Sequence, residues 1–107
     1  QGIDIGNLVF TSGQLPLNME TGEMETEIKA ATKASLSNVK AILAEAGLTM
    51  DNVIKTTVFI SDMNNFAAMN EVYATFFGET APARSCVEVA RLPKDVLVEI
   101  EAVAVRK

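Results

Sequence analysis

The fold is decided by the C-terminal part of the chain, which reads Pro82–Ala90 (PARSCVEVA), Arg91–Asp95 (RLPKD) and Val96–Val105 (VLVEIEAVAV). The first and third runs are rich in the residues that strands favour, and the middle run carries the proline and charged residues of a turn. They predict a strand, a short turn and a second strand that pairs with the first. The first strand begins with Arg84, and the second places Glu99 among apolar residues.

Arg84 and Glu99 together indicate a site for a small organic acid. A guanidinium grips a carboxylate through two parallel hydrogen bonds, and a glutamate in an apolar strand is suited to proton or water chemistry. Each residue also has a structural explanation that stays open at this point. Arg84 fits an edge arginine in solvent, and Glu99 fits one half of a solvated pair with Glu101. Two carboxylates could also hold a divalent ion, but no acidic ligand cluster accompanies them, and we expect no metal site.

Composition places the chain among single globular domains without the charge pattern of a nucleic-acid-binding protein. It has 107 residues, 49% of them hydrophobic and 21% charged, with a formal net charge of −5. Its nine basic residues are scattered, whereas phosphate backbones require clustered lysine and arginine. The chain has no histidine and one cysteine, which excludes imidazole catalysis, histidine metal sites and an internal disulfide. We predict one domain over residues 1–107 in the cytoplasm, with no membrane span, since no apolar run approaches the roughly 20 residues needed.

Periodicity predicts two helices and three more strands before this C-terminal pair. A short strand around Ile3 and a strand over Leu8–Ser12 are expected to form a hairpin. Apolar residues at helical spacing predict helices over Glu25–Ala46 and Phe66–Phe77, and β-branched residues predict a strand over Val53–Ile60. The predicted order is β-β-α-β-α-β-β, an α+β layer in which two helices cover one face of a mixed sheet.

The final strand separates into two faces of different character, because alternate residues of a strand point to opposite sides. The predicted core face is wholly apolar: Val96, Val98, Ile100, Ala102 and Ala104. The other face mixes apolar and acidic residues: Leu97, Glu99, Glu101, Val103 and Val105. This mixed face predicts burial against another subunit with a wet pocket in the seam, and a half-solvated sheet is the alternative.

Four further residues are candidates for the same site. Cys86 shares a face with Arg84, but no histidine can serve as base for its thiol, and a small buried hydrophobe is the alternative. Ser12 and Gly13 end the first long strand, where polar groups either bind a ligand or simply terminate the strand. Asn70 lies mid-helix beside the apolar stripe, where a polar contact and solvent exposure both fit.

Several stretches of the chain match one protein family. They are Gly6–Pro16, Asn38–Leu43 with Ala46-Gly47, Val53–Phe59, Met69–Tyr73 with Phe76-Phe77 and, most specifically, Pro82–Lys94 with Glu99–Ala102. Together they resemble the RidA (YjgF) family of reactive intermediate deaminases over essentially the whole chain. The resemblance implies a chorismate-mutase-like fold and a homotrimer with ligand clefts between subunits. It also implies hydrolysis of 2-imino acids or their enamine tautomers, such as 2-iminopropanoate and 2-iminobutanoate, to 2-keto acids and ammonia without metal or cofactor.

The resemblance also assigns roles to individual residues. Arg84 matches the family arginine that binds the substrate carboxylate, and Glu99 matches the glutamate that positions the attacking water. The backbone of Cys86 matches a second contact to the carboxylate. The remaining matches line the cleft: Ser12 and Asn70 with polar side chains, and Gly13 with its backbone.

Two points are left open by the resemblance. The family usually carries a Gly-Pro-Tyr-Ser-Gln segment whose tyrosine reaches the cleft, and this chain begins at Gln1, where that glutamine would fall. We expect the tyrosine to precede Gln1, and otherwise the cleft lacks one wall. A non-catalytic trimer that senses small acids or binds a partner through the cleft is the alternative function, since fold alone does not settle function. RNA cleavage is a third, disfavoured by the acidic balance and the missing histidine.

Overall fold

The computed structural model describes residues 1–79 and 81–106 and has the element order that the sequence predicts. Two helices and five strands alternate as β-β-α-β-α-β-β, with single 3-10 turns between some of them. The strands and helices are β1 (Gly2–Asp4), β2 (Leu8–Thr11), α1 (Ile28–Glu45), β3 (Val53–Ile60), α2 (Phe66–Thr75), β4 (Ala83–Glu88) and β5 (Val98–Val105).

The helix ends follow local capping chemistry. α1 begins at Ile28 and not at Glu25, because the Glu27 carboxylate accepts from the backbone N–H groups of Lys29 and Ala30 and so caps the helix. α1 ends before Gly47, whose φ of 78° is the left-handed conformation that favours glycine. α2 ends at Thr75, two residues earlier than the apolar stripe predicts.

The five strands form one mixed sheet in the order β1-β2-β5-β3-β4. The predicted hairpin of β4 and β5 is wrong, because β3 lies between them: β4 pairs with β3 in parallel, and β5 pairs with β3 antiparallel. The nine residues 89–97 carry the chain past the end of β3, where Val89 N donates to Ile60 O and Ser61 N donates to Leu97 O. Nine residues exceed the two to five of a tight hairpin loop, so a crossover of this kind fits their length.

The core lies between the sheet and the two helices, which cover the same face. The predicted core face of the final strand is confirmed, since Val96, Val98, Ile100, Ala102 and Ala104 are all buried. Leu36, Val39 and Leu43 of α1 are fully buried against them. Burial of each such side chain stabilises the fold by about 1.5–3 kcal/mol, so this layer fixes the positions of β3, β4 and β5.

The opposite face of the sheet has no helix on it in the described part of the chain. Residues of β5 on this face are only half-buried or exposed, and Phe10 and Ile3 on the paired strands β2 and β1 are 39% and 63% exposed. This uncovered face, hereafter the open face, therefore combines aromatic and aliphatic side chains with Glu99 and Glu101. None of the helices in residues 1–79 and 81–106 has the length and apolar character needed to cross a bilayer.

Candidate active site

Arg84 lies at the start of the edge strand β4 and points to the helix-covered side of the sheet. It stands opposite Thr56 of β3 in the parallel register. Its Nη1 donates to Oδ1 of Asn70 at 2.5 Å. Its guanidinium carbon lies 5.3 Å from the ring centre of Phe66 and 4.7 Å from that of Tyr73. One helix face thus holds the guanidinium with a neutral acceptor and two aromatic rings.

No acidic group in the described part of the chain neutralises the charge of Arg84. The other two arginines are paired: Arg91 with Asp95 at 2.7 Å, and Arg106 with Asp4 at 2.6 Å. No carboxylate of residues 1–79 or 81–106 lies within 4.0 Å of the Arg84 guanidinium, which is half-buried. A half-buried cation with ordered geometry and no anionic partner is a ready site for a ligand carboxylate.

A cleft of about 350 Å³ opens beside this guanidinium. Its walls combine Arg84 and Asn70 with the apolar side chains of Tyr73, Phe77 and Pro82. The volume lies at the small end of the range for ligand sites. Two larger grooves of about 500 and 680 Å³ run along α1 and contain lysines but no arginine. The planar guanidinium, which can bind a carboxylate through two parallel hydrogen bonds, therefore favours the smaller cleft.

Cys86 lies two residues after Arg84, on the same side of the sheet, as the sequence predicts. It stands opposite Val58 and packs partly against the core. Burial raises the pKa of its thiol, and the nearby positive charge of Arg84 offsets this only in part. The thiol is therefore protonated at neutral pH, which does not suit a nucleophile.

Glu99 lies on the open face, beside the segment that leaves β2. It stands opposite Phe59, and its carboxylate lies directly over the backbone of Gly13, so closely that a Cβ at position 13 would overlap it. Gln14 and Ile100 exchange two backbone hydrogen bonds of 2.7 and 3.1 Å, which hold this segment against β5. Ser12 is exposed next to Gly13. The backbone of Gly13 thus lies against this carboxylate, and Ser12 precedes it in the chain.

The six predicted site residues fall into two groups on opposite faces of the sheet. The Arg84 cluster comprises Arg84, Asn70 and Cys86, and the Glu99 cluster comprises Glu99, Gly13 and Ser12. Arg84 is in register with Thr56 on the helix-covered side, while Glu99 is in register with Phe59 on the open side. The expectation that Arg84 and Glu99 lie on paired strands is therefore wrong within one chain. They are separated by β3, about 10 Å across two strand spacings, and by the thickness of the sheet.

Two residues that contact Arg84, Phe66 and Tyr73, were not among the predicted site residues and were predicted only as part of the second helix. Phe66 and Tyr73 flank Asn70 at spacings of four and three residues, which is one helix face. The presence of Asn70 in the middle of that aromatic face is the signal that could have identified them. No group of three acidic or cysteine side chains in the described residues is arranged to hold a metal ion.

Comparison with known proteins extends this description. The model of a family described as endoribonuclease L-PSP matches residues 1–106. The chain is 56% identical over 110 residues to the 2-iminobutanoate/2-iminopropanoate deaminase of Escherichia coli K12, covering 100% of this chain and 86% of that protein.

Solved structures agree with the sequence relatives. The crystal structure of E. coli TdcF with bound serine superposes with a TM-score of 0.96 at 56% identity, covering 100% of this chain and 87% of that one. The YjgF gene product from E. coli gives a TM-score of 0.96 at 55% identity with the same coverage. A family match over nearly all residues, with relatives above half identity, establishes the relationship. The chain belongs to the endoribonuclease L-PSP family, the RidA (YjgF) family that the sequence motifs predict.

Proposed function

We propose that the chain is a deaminase that hydrolyses reactive 2-imino acids, such as 2-iminopropanoate and 2-iminobutanoate, to 2-keto acids and ammonia. The observation that carries the proposal is Arg84: it is ordered by three neighbours, it lines a small cleft, and no described carboxylate neutralises it. The name of the E. coli relative supports the same substrate class.

The Arg84 cluster binds the substrate carboxylate in this proposal. The guanidinium supplies the charge and parallel N–H donors, and the backbone at Cys86 supplies a further contact on the same side of β4. Asn70 orients Arg84 and presents a polar edge to the cleft. The thiol takes no covalent part, since burial raises its pKa and keeps it neutral.

The Glu99 cluster supplies the water chemistry. Glu99 orients a water molecule and accepts one of its protons while the water oxygen bonds to the imine carbon. The imine nitrogen takes up a proton in the same step, and the product is a carbinolamine. The carbinolamine nitrogen gains a proton and leaves as ammonia, the C–N bond breaks, and the hydroxyl proton is lost as the C=O bond forms. Water is consumed and no electrons are exchanged, so the reaction needs no redox cofactor. Gly13 and Ser12 line this side of the cleft.

The two clusters work together only if they come from two different chains. Within one chain the sheet separates Arg84 from Glu99. The open face carries exposed Phe10 and Ile3 in addition to Glu99, and an apolar sheet face of this kind is normally buried under another layer. We therefore propose a homotrimer in which the Arg84 cluster of one chain faces the Glu99 cluster of its neighbour.

The proposal is tested by following the lifetime of an imine generated in situ. An amino-acid oxidase acting on alanine releases 2-iminopropanoate, and semicarbazide competes with hydrolysis for it. We expect the protein to lower the rate of semicarbazone formation in proportion to its concentration and to release pyruvate and ammonia in equal amounts. Heat-unfolded protein is the control for buffer catalysis.

The alternative function is separated by the same experiment. A small-acid sensor or partner-binding trimer would bind pyruvate with native affinity while semicarbazone formation stays at the rate without protein. That result would contradict the deaminase proposal and favour the non-catalytic reading. Salt-dependent RNA binding would instead favour a nucleic-acid substrate.

A further inference from the structure

The helix α2 presents three residues to Arg84 at successive turns of one face. Phe66, Asn70 and Tyr73 are spaced four and three residues apart, which aligns them along the helix. Each contacts the guanidinium: the two rings at 5.3 and 4.7 Å from the guanidinium carbon, and Asn70 through a hydrogen bond. Of the two rings, that of Tyr73 lies closer.

Tyr73 is itself held on two sides. Its hydroxyl shares a 2.6 Å hydrogen bond with Oγ1 of Thr56, and both residues are buried, at 4% and 1% exposure. Its ring packs at 4.8 Å against the ring of Phe77. Thr56 is the residue of β3 that stands opposite Arg84 in the parallel register. The Tyr73 ring that lies under the guanidinium is therefore hydrogen-bonded to β3, the strand next to β4, which carries Arg84.

This arrangement orders the guanidinium without neutralising it. An acidic partner would also fix Arg84, but it would compete with a substrate carboxylate for the same N–H groups. Aromatic faces attract the cation through their quadrupole and leave its N–H edge free. Ordering the side chain before binding also removes part of the entropy that a ligand would otherwise have to offset.

We infer that Tyr73, anchored through its hydroxyl to Thr56, is a positioning residue that holds the Arg84 guanidinium in its carboxylate-binding orientation. This inference rests on the proposed function for the identity of the ligand as a 2-imino or 2-keto acid. Tyr73 takes no part in the chemical step. Its removal weakens carboxylate binding and leaves the rate of the bound complex nearly unchanged.

The test measures pyruvate affinity by calorimetry and imine turnover in the same set of variants. Tyr73→Leu removes the aromatic face, and we expect pyruvate Kd and imine KM to rise about fivefold to tenfold, with kcat within about twofold of wild type. Phe76→Leu is the matched control, because Phe76 lies three residues further along at the end of α2, is half-buried, and is neither of the two rings that stack on Arg84 nor part of the cleft lining. It should lower stability and leave Kd unchanged.

A second set of variants covers the case in which Tyr73→Leu does not fold. Tyr73→Phe and Thr56→Val each leave one buried hydroxyl without its partner, so each lowers stability. The double variant removes both hydroxyls and should regain part of the lost stability. Its pyruvate Kd should nevertheless stay raised by about the same factor as in the single variants, about threefold, because the anchor is absent in all of them. A purely structural role predicts that affinity recovers together with stability.

The outcomes separate this inference from the function on which it rests. Wild-type protein that binds pyruvate without turning over the imine overturns the proposed function, and the Kd series alone then decides the role of Tyr73. Unchanged Kd in every Tyr73 and Thr56 variant overturns the inference. An equal loss of affinity in Phe76→Leu also overturns it, because the effect would then follow stability and not the contact with Arg84.

Discussion

The Arg84 cluster and the Glu99 cluster differ in how completely one chain builds them. The Arg84 cluster is enclosed by α2, and its charged group has a hydrogen-bond partner and two rings around it. The Glu99 cluster lies on an open sheet face, where a carboxylate rests over a glycine with no helix above it in the described chain. Under the proposed function, a single chain builds the carboxylate-binding side of the cleft but leaves the side that holds the water exposed, and a second copy completes it.

Loss of the Arg84 guanidinium should reduce activity more than any other change to the two clusters. Arg84→Ala removes the charge and the parallel N–H donors, and we expect kcat/KM for 2-iminopropanoate to fall about 100- to 1,000-fold. Arg84→Lys keeps the charge without the planar fork and should lose about tenfold or more. Steady-state kinetics with the semicarbazide competition measure both.

Arg106 provides the control for this prediction, since it is an arginine already paired with Asp4 and does not line the cleft. Arg106→Gln should change kcat/KM by less than about twofold while lowering stability by about 1 kcal/mol. Wild-type kinetics in Arg84→Ala would show that the carboxylate is bound elsewhere.

Mixing two inactive variants should restore activity if the clusters meet across chains. Equal amounts of Arg84→Ala and Glu99→Ala are unfolded together and refolded, so that chains assemble at random. Each cleft of a homotrimer takes one cluster from each of two chains, so about one quarter of the clefts regain both native residues. We expect about one quarter of wild-type activity in the mixture and almost none in either variant alone.

The control for mixing is Arg84→Ala refolded with the double variant Arg84→Ala/Glu99→Ala, in which no cleft can contain Arg84. It should stay inactive. Mixed oligomers that are visible by native mass spectrometry but inactive would contradict the two-chain site.

A methyl group at position 13 should disturb the Glu99 cluster alone. The added Cβ of Gly13→Ala overlaps the Glu99 carboxylate, and that flexible side chain must move aside. We expect kcat to fall about tenfold or more, because a displacement near 1 Å misplaces the water. The melting temperature should change by no more than about 4 °C, since a side chain moves and not the core. In a Glu99→Ala background the same substitution should have no further effect on kcat. An additive loss would show that Gly13→Ala does not act through displacement of Glu99.

The contrast between the clusters also shows which features the sequence determines. The two faces of β5 were predicted correctly, because a strand alternates with period two and the apolar positions identify the core side. The predicted pairing of β4 with β5 was wrong, because alternation within each strand does not show whether a third strand lies between them. The candidate site residues were predicted from motifs, but their distribution over two faces depends on that sheet order.

The neighbours of Arg84 were missed for a related reason. Phe66 and Tyr73 occupy the same helical spacing that a core stripe uses, and both uses bury aromatic area. Only an arginine on the neighbouring strand shows that these rings stack on a guanidinium and do not simply fill the core. The position of that arginine depends on tertiary contacts, which no local sequence pattern contains.

The smallest effect on activity is expected at Cys86, because in the proposed function its side chain neither binds the substrate carboxylate nor activates the water. Burial raises the pKa of the thiol, so at any pH near its ordinary value of 9.0 the folded protein contains less thiolate than the unfolded chain. Because alkylation requires thiolate, iodoacetamide should label native protein more slowly than urea-unfolded protein, with the native midpoint at higher pH. The chain has one cysteine, so all label reports on this residue. Cys86→Ala keeps the backbone contact and should retain kcat/KM within about threefold. A loss of kcat/KM as large as that of Arg84→Ala would contradict this prediction and show that the thiol takes part in binding or catalysis.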